Sequence, residues 1–235
     1  MFRSIKLVLS IMESRKKVGD TYTSSTLITI DEEKLSLPGN VYIIGTVNMD
    51  ETTHPFSKKV LDRANTIEFN EIYLDSFAFL ENPPKKEPVH LANSSIEASY
   101  VQIQDCFEGN EQIVKDVSTK LAKINAIIEP LNAHVGYRVR DEICFYMIHN
   151  SDGPLFDESK ALDYCIMQKI LPRLAGSGLK VRQVLEQLFD HFTGDKYESE
   201  MDFDQTAALY PLSAKKVYDM LGRLGDEGFT SFWIS

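Results

Sequence analysis

From residue 113 onward the apolar residues recur at three- and four-residue spacing in five separate stripes, and this rhythm constrains the fold most strongly. Ile113, Val117, Leu121, Ile124 and Ile128 form the first stripe, which Pro130 ends. Val139, Ile143 and Met147 form the second, and Ala161, Leu162, Cys165, Ile166 and Ile170 the third, stopped by Pro172. Val181, Val184, Leu185, Leu188 and Phe192 make the fourth. Ala214, Val217, Leu221 and Leu224 make the fifth, with Ser213 where an N-cap is expected. Such spacing places the apolar side chains on one face of a helix. Each face must then be buried against another element. Residues 108–235 are therefore expected to form an all-α bundle.

The first third of the chain is patterned differently. Phe2, Ile5, Leu9 and Met12 predict an amphipathic helix at the very start, as though the domain continued something upstream. Thr26–Ile30 and Lys34–Leu37 are short strand candidates around the turn Asp31-Glu32-Glu33. Val41-Tyr42-Ile43-Ile44 is a continuous apolar run, the pattern of a strand covered on both faces in a parallel sheet. Ser57 to Ala64 reads as a helix and Thr66-Ile67-Glu68-Phe69 as the next strand, giving a right-handed β-α-β unit. The expected fold class is thus a partial α/β core over residues 1–75, half of a parallel sheet, followed by the helical domain. A connector over 76–107, marked by Asn82-Pro83-Pro84-Lys85-Lys86, joins the two.

Charge and composition exclude several functions. The formal net charge is -10, whereas a nucleic-acid surface needs a basic excess to neutralise phosphates. Basic clusters such as Arg15-Lys16-Lys17, Lys58-Lys59 and Lys85-Lys86 are short, so any action on DNA is expected to be indirect. Cys106, Cys144 and Cys165 show no C-x-x-C pairing and read as small buried hydrophobes in a reducing compartment. The five histidines are scattered, which gives no support for a metal centre. No run approaches the length of about 20 apolar residues that a membrane helix requires. Lys6 interrupts the apolar N-terminus, so a cytoplasmic protein with no membrane contact is expected.

The residues with chemical potential begin at Asn48. It would stand at the carboxyl end of the strand Val41–Ile44, beyond Gly45-Thr46-Val47, where open α/β sheets place their ligands. An amide there can donate to a phosphate oxygen and accept from an attacking water. It can equally well start a turn.

Ile43-Ile44-Gly45-Thr46-Val47-Asn48-Met49, followed by Val60-Leu61-Asp62-Arg63-Ala64-Asn65-Thr66-Ile67-Glu68-Phe69, resembles the sensor-1 strand, helix and next strand of McrB-like AAA+ nucleoside-triphosphatases. Those proteins are the motors of 5-methylcytosine-specific restriction. Further likenesses follow in order: Met12-Glu13-Ser14-Arg15 ahead of the strand, Gly136-Tyr137-Arg138-Val139 at the sensor-2 helix, then Gln168–Arg173 and Gly228–Trp233 in the lid. The resemblance implies that Asn48 is the sensor-1 residue near the γ-phosphate. It makes Arg63 the arginine finger toward a neighbouring subunit's nucleotide, and Arg138 the sensor-2 arginine of the lid, with Arg140 as the alternative. It also implies ATP or GTP with Mg²⁺, a homo-oligomeric ring and an endonuclease partner subunit.

Two departures qualify what is carried over. The Asp-Arg pair of the family's M-N-x-x-D-R is missing after Asn48, which leaves ATP as open as GTP. No G-x-x-x-x-G-K-[ST] loop occurs. Gly176-Ser177-Gly178-Leu179-Lys180 imitates one, but it is expected to follow a helix and a proline rather than a strand. Leu27–Glu32 imitates a Walker B strand, yet ten residues to Val41 are too few for a parallel crossover, so a hairpin is expected. The chain alone is therefore expected to be an inactive part of a motor. The rival expectations are a non-catalytic module docking on intact AAA+ subunits, or a truncated product without its own role.

Overall fold

The computed structural model describes residues 14–19, 21–24, 28–30, 33–35, 40–49, 56–70, 74–75, 77, 87–199 and 201–234. They fall into two units, residues 1–45 with 67–101 and residues 46–66 with 102–235. The helix expected from Phe2 to Met12 lies outside the described residues.

In the first unit β1 (Arg15–Val18) pairs antiparallel with β2 (Thr21–Ser24). Gly19 has φ 61 in the connection, a left-handed value that glycine adopts without steric cost. β3 (Ile28–Ile30) pairs antiparallel with β4 (Glu33–Leu35), Ile30 opposite Glu33. The hairpin reading of this stretch agrees with the antiparallel pairing, although Glu33, expected in the turn, belongs to β4, and Asp31 and Glu32 lie outside the described residues.

The parallel sheet is a correction. Among the described residues every sheet is a two-stranded antiparallel ribbon. Residues 41–49 have no regular structure, and Ile44 is 92% exposed. Residues 64–70 are likewise irregular, with Phe69 92% exposed. An apolar run becomes a strand only where neighbours supply ladder partners and cover its faces. Here a side chain occupies one backbone group, Arg15 donating to the Val41 carbonyl at 3.3 Å, while the Tyr42 hydroxyl donates to the Asn93 side chain at Oδ1, 2.9 Å away. The chain is mostly helical, and no α/β core is formed by the described residues.

The second unit holds the helices. α1 (Lys58–Leu61) is a single turn inside the longer helix expected from Ser57 to Ala64. α2 (Glu111–Ile128) buries Val114, Val117, Leu121, Ile124 and Ile128, and gives way at Pro130 to a 3₁₀ turn. α3 (Tyr137–Asp152) buries Val139, Ile143, Cys144, Met147 and Ile148. α4 (Glu158–Cys165) runs on into a π turn, Ile166–Ile170, and a 3₁₀ turn, Leu171–Arg173. Pro172 explains the change of pitch. It has no amide to donate, and its ring would clash with the carbonyl four residues earlier, that of Gln168.

β5 (Ala175–Ser177) leads into α5 (Leu179–Thr193), and α6 (Pro211–Glu227) into β6 (Phe229–Ser231), which pairs antiparallel with β5. α5 packs on α6, α2 on α3, α3 on α4, and α4 on α6. The core is apolar and includes Phe189, Phe192 and Phe232. Each large side chain buried there contributes about 1.5–3 kcal/mol. No helix among the described residues is long and apolar enough to cross a membrane.

The cap of α6 departs from expectation. Ser213 lies inside the helix and is buried, while Tyr210 holds the N-cap position without a side-chain bond. The cap comes from α4: the Asp163 carboxylate accepts from the Leu212 and Ser213 amides at 2.8 and 2.9 Å and from the Ser213 hydroxyl at 2.5 Å. Asp163 is itself buried, and desolvation raises its pKa against the pull of these three donors.

Candidate functional site

Arg63 and Arg138 lie on separate elements, and the charge of Arg138 bears on Arg63. Arg63 follows the single turn α1, is half-buried, and donates from its guanidinium to the Lys59 carbonyl. This contact neutralises part of the negative end of α1, a role open to any cation at a helix C-terminus. Burial lowers the Arg63 pKa, the charge of Arg138 lowers it further, and Glu142 acts in the opposite sense. Arginine stays protonated regardless, so two fixed positive charges stand within electrostatic reach.

Arg138 is exposed in the first turn of α3. That turn contains no acidic residue, and Gly136 at the N-cap provides no side-chain bond. A cation opposes the helix dipole at this end, whereas an anion is favoured there. Arg140, the alternative sensor-2 residue, is committed elsewhere. It bonds Asp141 Oδ1 at 2.8 and 2.5 Å and stacks 5.0 Å above the Tyr137 ring. Arg138 is the arginine of the two whose charge lowers the Arg63 pKa.

Asn48 stands differently. It is exposed on the irregular segment 41–49, so no strand aims it at a phosphate position. The motif-like stretch Gly176–Lys180 is corrected in one respect: it does join a strand, β5, to a helix, α5, and Gly178 has φ 81 at the junction. One residue rather than four separates its glycines, so it remains unlike a phosphate-binding loop.

Sequence reasoning missed the residues that hold Arg63 in place. Asp62 pairs with Arg173 at 2.6 Å, with the Arg173 side chain 2% exposed. The Ala64 carbonyl accepts from Lys169 Nζ at 3.0 Å, and Lys169, itself buried, pairs with Glu142. The carbonyl of Gln168 accepts from both the amide and the hydroxyl of Thr66, at 3.3 and 2.6 Å. The one signal available was a lysine inside the apolar run that leads to Pro172. Trp233 adds a further tie, donating from Nε1 to the Pro172 carbonyl at 3.1 Å and meeting Phe56 edge-on.

Chemically, two guanidiniums beside a helix N-terminus suit an anion with several oxygens, since each planar fork can bind two oxygens at once. Among the described residues no group of three or more His, Cys, Asp or Glu side chains could hold a metal ion. The cysteines are buried and free, with Cys144 pushed up to about 11 and Cys165 to about 12 by desolvation.

A family described as a domain of unknown function, DUF8727, matches residues 86–229, more than half of the chain. The match takes in Arg138, Glu142, Lys169 and Arg173 and excludes Asn48 and Arg63. No curated protein and no solved structure matches the chain.

Proposed function

The chain belongs to the DUF8727 family, whose description names no activity, and we propose that it forms part of a McrB-like AAA+ motor subunit. In this reading the helical unit is the lid over a nucleoside triphosphate. Arg63 and Arg138 contact phosphoryl oxygens, and Asn48 is recruited when the nucleotide is assembled. The observation that carries the proposal is the repulsion that Arg63 feels from Arg138, which itself stands at an acid-free helix start. Like charges held together cost energy unless an anion lies between them.

The resemblance assigned the two arginines to two different nucleotides. Their mutual repulsion within one chain favours a single triphosphate that both approach and that phosphate-binding residues of another AAA+ subunit hold. The nucleotide is ATP or GTP with Mg²⁺, the assembly is a homo-oligomeric ring in the cytoplasm, and an endonuclease subunit is its effector. The net charge of -10 keeps contact with DNA indirect.

Tripolyphosphate titrated into the full chain tests this reading. Saturable, salt-sensitive binding should weaken by roughly 10- to 100-fold in Arg63→Ala or Arg138→Ala, the worth of a charge-assisted hydrogen bond. The chain alone should not turn over Mg-ATP or Mg-GTP. Binding indifferent to both substitutions, or magnesium-dependent hydrolysis by the chain alone, overturns it.

A second reading rests on the first unit. Ile44, Phe69, Leu74 and Val89 are each more than 80% exposed. Apolar exposure of this kind suits a non-catalytic module that docks on intact AAA+ subunits. Concentration-dependent self-association without any response to tripolyphosphate would favour it.

A further inference from the structure

The lysine in the π turn touches both arginine-bearing elements. Lys169 is 3% exposed, and its ammonium group has two partners on two separate elements. One is the Ala64 carbonyl, immediately after Arg63, at 3.0 Å. The other is the Glu142 carboxylate, one helical turn after Arg138 on α3. We propose that Lys169 is a positioning residue that couples Arg63 to Arg138, so that displacement of either arginine is transmitted to the other. The inference rests on the phosphate reading of the arginine pair and adds a mechanism for its regulation.

Local backbone chemistry explains why the coupling residue sits at this place. Pro172 denies the Gln168 carbonyl its helical donor. The freed carbonyl is taken by the Thr66 amide and hydroxyl, at 3.3 and 2.6 Å. Arg173 then pairs with Asp62 at 2.6 Å while its Nε donates to the Lys169 carbonyl at 2.9 Å. Asp62, Ala64 and Thr66 are thus all held by Gln168, Lys169 and Arg173. Arg63 stands between two of the held residues, its guanidinium donating to the Lys59 carbonyl. π turns recur at functional sites because the extra residue re-aims the side chains around them.

Lys169 alone reaches onward to α3. Removing one partner of a buried ion pair leaves the other charge uncompensated, so the Lys169–Glu142 contact resists being pulled apart. A phosphate that draws Arg138 and the first turn of α3 toward itself would load Glu142, then Lys169, then the carbonyl behind Arg63. That is a route by which loss of a phosphoryl group at one arginine could be felt at the other.

The test uses the full chain without nucleotide, so its outcome is independent of the motor reading, which tripolyphosphate binding tests separately. Amide hydrogen exchange is followed at Thr66, and the side-chain Nε resonances of Arg63 and Arg138 are followed by NMR. Glu142→Gln sits on the α3 side and is half-exposed, so the fold should survive it. It should nevertheless speed exchange at Thr66 by roughly tenfold, an effect at a segment its carboxylate does not bond. Lys169→Met should shift both arginine resonances together, and Lys169→Arg should restore them. Unchanged Thr66 exchange in Glu142→Gln overturns the coupling. So does a Lys169→Met spectrum in which only one arginine moves. Should Lys169→Met fail to fold, the Glu142→Gln result decides alone.

Discussion

Arg173 and Asp62 lie 111 residues apart in the chain and form an ion pair of 2.6 Å, with the arginine side chain almost wholly buried. This pair fastens the segment carrying Arg63 to the turn that ends α4. The candidate site is therefore held by tertiary contacts between segments far apart in the sequence.

Arg173→Ala should destabilise the helical unit by about 1–3 kcal/mol, since a charge-assisted bond is lost and the Asp62 carboxylate is left half-buried. Arg173→Lys should recover only part of the loss. A lysine cannot donate to Asp62 and to the Lys169 carbonyl from a planar fork as Arg173 does. Urea midpoints of the three proteins give the answer directly.

Arg138→Glu should trade function for stability. An acid in the first turn of α3 agrees with the helix dipole and removes the repulsion with Arg63. A gain of about 0.3–1 kcal/mol is expected in thermal or urea unfolding. Tripolyphosphate binding should be lost in the same variant. A variant that is both less stable and still able to bind would place Arg138 in a structural role.

Asp163 gives the fold a defined pH response. Its pKa is raised in the folded protein, so the native state keeps a proton that the unfolded state has released. Its contribution is fully present below the ordinary carboxylate pKa and is lost as pH rises through the raised value. Relative to Asp163→Asn, the wild-type chain should therefore become progressively less stable across that acidic window and then level off. Asp163→Ala should cost roughly 2–3 kcal/mol at acidic pH, because the Leu212 and Ser213 amides lose their cap, and less once pH has risen past the raised value. Unfolding curves at a series of pH values distinguish the two variants.

The thiols should be silent. Desolvation raises the pKa of Cys106, Cys144 and Cys165, so little thiolate exists near neutrality. A thiol-specific reagent should label none of the three at pH 8 in the folded chain and all of them in denaturant. Fast labelling of one in native buffer would show that its surroundings open.

What the sequence made legible was local. The apolar stripes from Val117 to Leu224 specify helices and their buried faces, because helical periodicity is written into each segment alone. Pro130 and Pro172 mark real changes of pitch for the same reason. The β3–β4 hairpin followed from a connection too short to cross over in parallel. Val41–Ile44 misled because its apolar character is also local, while a strand depends on neighbours that the described residues do not provide. Ser213 misled because the α6 cap comes from Asp163, 50 residues earlier. Neither Arg173–Asp62 nor Lys169–Glu142 has any signature in spacing. Each is created by the packing of α1 and α3 against the turns after α4. The engagement of Arg140 by Asp141 and Tyr137 has no signature in spacing either.

The central claim is that Arg63 and Arg138 serve one phosphate cluster. The direct measurement is a double-mutant cycle on tripolyphosphate affinity with Arg63→Ala, Arg138→Ala and the pair. Convergence on one anion predicts a single binding site and clear non-additivity, the double variant losing much less than the two single losses combined. Strict additivity, or two independent sites each removed by one substitution, would contradict the account.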